Sequence, residues 1–322
     1  MMNSMEFNWK KRKQIFNPNQ VNNWNRTHAQ VPYYFENDGE RRIFFTSRPP
    51  KLHDGTYVSN VHSARVEVIS NDIVVTELDN NPLFNLGGMG AFDETGTMPC
   101  SVIFNQDRNE VWMYYVGWNR KHSVPYDCAV GLAISKDNGK TFVKYSSGPV
   151  MGQDSNDPFL VGCPRVYRFK NKWYMFYLAG IKWVDFGGKK ESYYKLKIST
   201  SDDGLNWKRD SRYIIPEIYE MESQTCASVL HYDNMYHMFF TFRHTVDFRN
   251  PQRGYRIGYA FSYDLENWTR DDSKGNFLIS DKGWDSEMVC YPNLNLINKN
   301  LYMFYCGNNF GLEGFGYALN QF

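Results

Sequence analysis

The chain has 322 residues, and its 36 lysines and arginines face 35 acidic residues, for a net charge of +1. A balance this even provides no field for nucleic acid or an anionic membrane surface, and neither partner is expected. Hydrophobic residues make up 42% of the chain and aromatics 17%, ample for a core and biased toward strands, where flat side chains pack well on a pleated surface.

The first dozen residues hold no apolar run that could serve as a signal peptide, and no stretch is long enough to span a bilayer. Six cysteines are too few for a disulfide framework in a chain this long. Cys100, Cys163, Cys226 and Cys290 read as small buried thiols. A cytoplasmic location is expected, which leaves the sequons at Asn25 and Asn267 without meaning. No second histidine stands at ligand spacing from His28, so neither metal nor cofactor is expected.

From Val31 onward the same pattern recurs roughly every 64 residues. Pro32, Pro99, Pro164, Ala227 and Pro292 fill one slot at the start of an apolar strand. A polar turn follows each strand: Asn37-Asp-Gly, Gln106-Asp-Arg-Asn, Lys170-Asn-Lys, Asp233-Asn and Asn298-Lys-Asn, the composition that hairpins require. Second strands then read Arg42-Ile-Phe-Phe, Val111-Trp-Met-Tyr-Tyr, Trp173-Tyr-Met-Phe-Tyr, Tyr236-His-Met-Phe-Phe and Leu301-Tyr-Met-Phe-Tyr. Third strands recur from Ala64, Gly131, Lys195, Ile257 and Gly316, and a fourth is expected before each new unit. Five such units predict an all-β, five-bladed β-propeller of four antiparallel strands per blade, with blades starting near residues 28, 95, 160, 223 and 288 of a single domain. The last unit runs out after its third strand. Phe7-Asn-Trp-Lys resembles Leu205-Asn-Trp-Lys, which opens a fourth strand elsewhere, so residues 7–16 are expected to complete the last blade and leave no sheet edge open.

In such a blade the loop entering the innermost strand and the loop joining second to third strand emerge on one face. The entering loops carry Arg26 and His28, Asp93 and Glu94, Asp157, Glu220 and Glu222, and Asp285 and Glu287. The other loops carry Trp118-Asn119-Arg120, Trp183, Phe242-Arg243-His244 and Asn308-Asn309. Carboxylates ringed by aromatics and by amide or guanidinium donors suit a sugar, whose C–H faces stack on rings and whose hydroxyls take hydrogen bonds. Glycosidic cleavage needs one carboxylic acid to protonate the leaving oxygen and a second carboxylate to activate water or attack the anomeric carbon. The expectation is that Glu222 or Glu287 donates the proton, with Asp93 or Asp157 as base or modulator. Arg26, His28, Glu94, Trp118, Asn119, Arg120, Arg165, Arg243, His244, Asp285 and Asn308 are expected to bind substrate.

After the third strands come Ser135-x-Asp137-x-Gly139-x-x-Phe142, Ser201-x-Asp203-Gly204-x-x-Trp207 and Ser262-x-Asp264-x-x-x-Trp268. They look like the Asp-box turns of glycosidase propellers, whose role is structural. With Asp157-Pro-Phe-Leu and the acid-rich loops, the repeat resembles the five-bladed glycoside hydrolase clan of arabinanases, invertases and levansucrases. Gly90-Ala-Phe-Asp-Glu-Thr-Gly-Thr-Met-Pro, Gly117-Trp-Asn, Glu191-Ser-Tyr-Tyr and Gly283-Trp-Asp-Ser-Glu-Met-Val-Cys-Tyr-Pro resemble glycosidase-like propellers of bacterial surface-polysaccharide gene clusters. The resemblance implies an enzyme cleaving or transferring a glycosidic or activated-sugar bond, with a sugar, oligosaccharide or nucleotide sugar as ligand. It departs in the first blade, where Arg26-Thr-His28-Ala-Gln stands in place of the clan's aspartate. Phosphorolysis, a non-catalytic sugar binder and a scaffold in a polysaccharide-assembly complex stay open, and nothing in the sequence speaks to oligomeric state.

Overall fold

The computed structural model describes residues 6–320. Twenty strands form five antiparallel sheets. Blade I is β2 Thr27–Asn37, β3 Glu40–Arg48, β4 Asn60–Ile69 and β5 Asp72–Leu78. Blade II is β6 Gly96–Asn105, β7 Glu110–Asn119, β8 Asp127–Ser135 and β9 Val143–Lys144. Blade III is β10 Val161–Phe169, β11 Lys172–Phe186, β12 Lys189–Ser201 and β13 Lys208–Arg209. Blade IV is β14 Glu222–Tyr232, β15 Met235–His244, β16 Arg256–Ser262 and β17 Thr269–Arg270. Blade V is β18 Cys290–Ile297, β19 Asn300–Cys306 and β20 Phe315–Asn320, completed on its outer edge by β1 Lys10–Phe16 from the start of the chain.

The first hairpin of four blades turns on two residues in the left-handed region: Asp38 and Gly39, Lys170 and Asn171, Asp233 and Asn234, Asn298 and Lys299. Two positive φ values in succession match the twist of the flanking strands, which is why asparagine, aspartate and glycine gather there. The outer turns of blades II, III and IV are closed by Asp137, Asp203 and Asp264. Each accepts from the serine hydroxyl two residues earlier and from backbone N–H groups ahead of it. The aromatic that ends each turn packs on the preceding blade: Phe142 edge-on to Phe44, Trp207 to Tyr114 and Trp268 to Phe176.

The ring closes through β1, whose Lys11 pairs with Ala318 and Phe16 with Phe315. Closure demands a very close backbone approach. At Gly314, with φ of +102°, a Cβ would lie 1.9 Å from the Phe16 carbonyl oxygen. No helix among the described residues is long and apolar enough to cross a membrane.

Candidate functional site

Most of the recurring acids have a task inside their own blade. Asp93 is 1% exposed; the Tyr115 hydroxyl donates to it at 2.9 Å and Lys144 Nζ at 2.5 Å. Asp157, equally buried, takes Tyr177 OH at 2.8 Å, Lys197 Nζ at 2.7 Å and an Arg209 nitrogen at 3.0 Å. Asp285 takes Tyr305 OH at 2.8 Å and Lys11 Nζ at 2.7 Å. Glu222 is fully buried against Arg270 at 2.7 Å, and Phe240 replaces the tyrosine, its ring 5.0 Å from the guanidinium carbon. Strand pairing shows that these are one device repeated. Lys144, Arg209, Arg270 and Lys11 lie opposite Ala133, Ser199, Ala260 and Ala318 of the third strands. In blades II, III and V an acid from the entering loop thus ties second strand to fourth, and in blade IV Glu222 holds the fourth strand alone. The aspartates and Glu222 expected as catalysts or ligands hold this clasp, and none has a free carboxylate at the mouth.

Other expected ligands are also engaged. Arg243, 2% exposed, donates to the Tyr194 and Tyr255 hydroxyls and to the carbonyls of Ser192, His244 and Thr245, joining blades III and IV. Burial works against its charge, but the surrounding tyrosine hydroxyls outweigh that and hold the guanidinium above its ordinary value, with the Phe248 ring centre 3.6 Å from the guanidinium carbon. His244 stacks on Tyr219 at 3.9 Å. Asn308 caps the segment after Asp285, accepting from the amides of Glu287 and Met288. Arg165 is 0% exposed in the channel below the mouth and does not reach it.

The groups still open at the mouth are concentrated on blades I and II. Glu94 is exposed; among the described residues its carboxylate accepts only from the Gly90 amide, at 2.9 Å. Among the described residues, Glu94, Glu220 and Glu287 have no cation within ion-pair distance, and all three are exposed. Glu94 lines a shallow cleft of about 280 Å³ with Leu52, Asp54, Thr56, Val58, Thr95 and Arg120. Arg120 is held there by Asp54 at 3.1 Å and by the Thr56 hydroxyl. Trp118 lies across Gly96, where a Cβ would fall 2.0 Å from the indole nitrogen, and donates to Ser59 at 2.8 Å. Asn119 donates to the Ala91 carbonyl, while its own side-chain oxygen is buried without a partner.

On blade I, Arg26 donates to Ser47 at 2.6 Å and to Asn60 at 2.5 Å. His28 adopts φ of 60°, and burial together with the neighbouring Arg48 guanidinium pushes its imidazole down to about 4, so it is neutral at pH 7. Arg48 ends β3 opposite Thr27, stacks over Tyr57 at 5.3 Å, and has a buried Nε without a hydrogen-bond partner. Sequence reasoning missed Arg48, Tyr57, Asp54 and Thr56. They lie at the end of the second strand of blade I and in the loop after it, a position that faces the mouth in every blade, but no residue motif recurs there across the units to draw attention to it.

No protein-family model matches the chain. A protein of Mycobacterium tuberculosis described as uncharacterised is 29% identical over 314 residues, covering 97% of this chain and 98% of the relative. A β-1,2-mannobiose phosphorylase of Thermoanaerobacter sp. is 24% identical over 145 residues, 42% of this chain and 44% of its own length. Among solved structures, one described as a glycoside hydrolase superposes with a TM-score of 0.73 at 19% identity, over 98% of this chain and 92% of its own. A structure from the GH130 family of mannoside phosphorylases, described as containing glycoside hydrolases that target β-1,2 mannosidic linkages in Candida mannan, reaches 0.67 at 14% identity, over 99% and 95%. A thermostable family-43 glycoside hydrolase reaches 0.62 at 16%, over 95% and 91%. In fold, the chain is a glycosidase-like five-bladed β-propeller.

Proposed function

We propose that the protein cleaves or transfers a glycosidic or activated-sugar bond at the mouth formed by blades I, II and V. The observation that carries this reading is Glu94, an exposed carboxylate without a cation in a cleft that also presents Arg120 and Thr56. Acid–base chemistry on a glycosidic oxygen needs such a group, able to exchange a proton with a ligand. Glu287 comes from the same repeat slot and is likewise exposed, whereas Glu222 is locked to Arg270. Glu94 and Glu287 therefore act as the reacting carboxylates. Asp93, one residue before Glu94, fixes the loop through Lys144 and Tyr115, and Asp157 does the same for blade III. Trp118 and Tyr57 offer ring faces to a sugar. A setting in bacterial surface-polysaccharide metabolism, inside the cell, goes with this reading, with an oligosaccharide or nucleotide sugar as substrate.

Phosphorolysis is the second reading, and Arg48 favours it. Its unpartnered Nε beside neutral His28, on the same blade as an Arg26 that among the described residues donates to neutral side chains, suits a phosphate as the attacking group. The partial likeness to a phosphorylase points the same way.

The test is to incubate the protein with oligosaccharides and nucleotide sugars, with and without inorganic phosphate, and to follow anomeric signals by NMR. Turnover that falls by about a hundredfold or more in Glu94→Gln or Glu287→Gln, at unchanged melting temperature, is expected. Phosphate-dependent formation of a sugar 1-phosphate selects the second reading. Full activity in both variants removes the assignment, and binding without turnover across the panel leaves a sugar-binding propeller.

A further inference from the structure

Below the mouth, the innermost strands place one residue per blade at the same height: Tyr33, Ser101, Arg165, Ser228 and Asn293, opposite Phe44, Tyr114, Phe176, Phe239 and Phe304. This level stitches neighbouring blades together. Ser101 Oγ accepts from Val166 N at 3.0 Å, Ser228 Oγ from Leu294 N at 2.8 Å, and Asn293 Oδ1 from Tyr34 N at 2.8 Å. A guanidinium cannot accept. At blade III the stitch passes instead to Tyr167, whose hydroxyl accepts from Val229 N at 2.9 Å. Arg165 is therefore not needed for the seam. Its side chain reaches from blade III to blade V, where one terminal nitrogen donates to the Pro292 carbonyl at 3.2 Å, and it lies over the Tyr33 ring at 5.1 Å.

The rest of the guanidinium is unmatched. Nε and the second terminal nitrogen are buried without a hydrogen-bond partner, and no carboxylate forms an ion pair with Arg165 among the described residues. The ionisable groups around it are Cys226, Tyr167, Cys100 and Tyr33. Burial drives the Cys226 thiol well above its ordinary value and the Tyr167 hydroxyl up to about 12, so both are neutral and neither supplies a counter-charge. An arginine stays protonated even when buried, and one ring face and one carbonyl do not offset the desolvation of a full charge.

We propose that the centre of this ring is a closed binding site for a small inorganic monoanion of the halide class, held by the two unpartnered nitrogens of Arg165. A monoanion matches the single positive charge, whereas a divalent oxyanion would exchange one uncompensated charge for another. With no exposure to the mouth, the ion is taken up as the blades close and plays no part in turnover. It ties blade III to blade V across the axis and makes the mouth a blind pocket.

The experiment is to refold the full chain from denaturant in sodium bromide, chloride or gluconate, crystallise the bromide form, and measure melting temperatures of wild type and Arg165→Met. An anomalous bromide peak in contact with Arg165, and a melting temperature several degrees higher in either halide than in gluconate, are expected for wild type, with the halide effect lost in R165M. If R165M does not fold, Arg165→Lys replaces it, and its halide effect should be weaker. The proposal is overturned by bromide-refolded crystals without a peak at Arg165, by equal melting in halide and gluconate, or by a halide effect that survives in R165M.

Discussion

Asp157→Asn separates a clasp from a catalyst. In the native blade this carboxylate is 1% exposed and answers two cations, Lys197 at 2.7 Å and Arg209 at 3.0 Å, together with the Tyr177 hydroxyl at 2.8 Å. Neutralising it leaves Lys197, itself 4% exposed, with an uncompensated charge. Removing one partner of a buried pair costs about 3–5 kcal/mol. At about 2 °C per kcal/mol for a domain of this size, the melting temperature should drop by about 6–10 °C. Tyr177→Phe removes one hydrogen bond to a charged group, about 1.5–3 kcal/mol, and should drop it by about 3–6 °C. The double variant should lose less than the sum, because both changes act on one network. Differential scanning calorimetry and urea titration read these shifts, with Glu94→Gln as a surface control expected within about 0.5 kcal/mol of wild type. A D157N protein that melts within about 2 °C of wild type, by the same conversion about 1 kcal/mol, yet has lost turnover would refute the clasp and return Asp157 to the chemistry.

Acid should weaken the fold through buried histidines. His28 and His62 are both held down to about 4 from an ordinary 6.5, chiefly by burial, so between those values the unfolded chain binds more protons than the folded one. Stability should therefore be complete above pH 6.5 and decline toward pH 4, each histidine contributing at most about 1.4 kcal/mol per pH unit. His28→Gln should flatten that slope in urea midpoints, and an NMR titration of His28 with a midpoint near its ordinary 6.5 would contradict the reading. Ring closure has its own test in Gly314→Ala, where the added methyl meets the Phe16 backbone at 1.9 Å and should loosen β1, seen as faster proteolysis near residue 16 and a lower melting temperature. Deleting residues 1–18 should unfold or aggregate the protein; a truncated chain that melts like the full one would sink the closure argument.

The fold was legible because each unit repeats a full set of local instructions: a slot residue, a two-residue turn, an aromatic strand and an outer turn. Even the closure by β1 could be read, from the likeness of Phe7-Asn-Trp-Lys to Leu205-Asn-Trp-Lys. The site was harder for the same reason. Recurrence drew attention to Asp93, Asp157, Asp285 and Glu222, yet a residue that recurs at one height in several blades answers a need every blade shares, here tying second strand to fourth. The cations that complete the clasp, Lys144, Arg209, Arg270 and Lys11, sit 48 to 274 positions away from the acids they serve, so no local pattern joins them. Chemistry on one substrate needs unlike groups at one mouth, and the proposed function joins the recurring Glu94 and Glu287 to positions that break the repeat: Arg48, Tyr57, Trp118 and Arg120.

Blade I meets the shared need by other means. Opposite Ala64, where the other blades place a cation, stands Leu78; Phe45 replaces the tyrosine, and the entering loop supplies the buried Trp24. All three join the apolar cluster with Phe16 and Phe315 that also receives β1. Burial of these side chains, each worth a few kcal/mol, holds the loop without charge. In blades II to V an acid and a cation neutralise each other out of reach of the mouth. Among the described residues blade I has no clasp acid, so Arg26 and Arg48 are answered only by neutral groups, with His28 kept neutral beside Arg48. Of the three exposed glutamates at the mouth without a cation, Glu94 and Glu287 come from the two blades that flank blade I, and Glu220 from blade IV. The departure from the aspartate that the resemblance implies thus gives the mouth a cationic side between two carboxylates; under the proposed function, that polarity orients an anionic or phosphate-bearing ligand toward blade I.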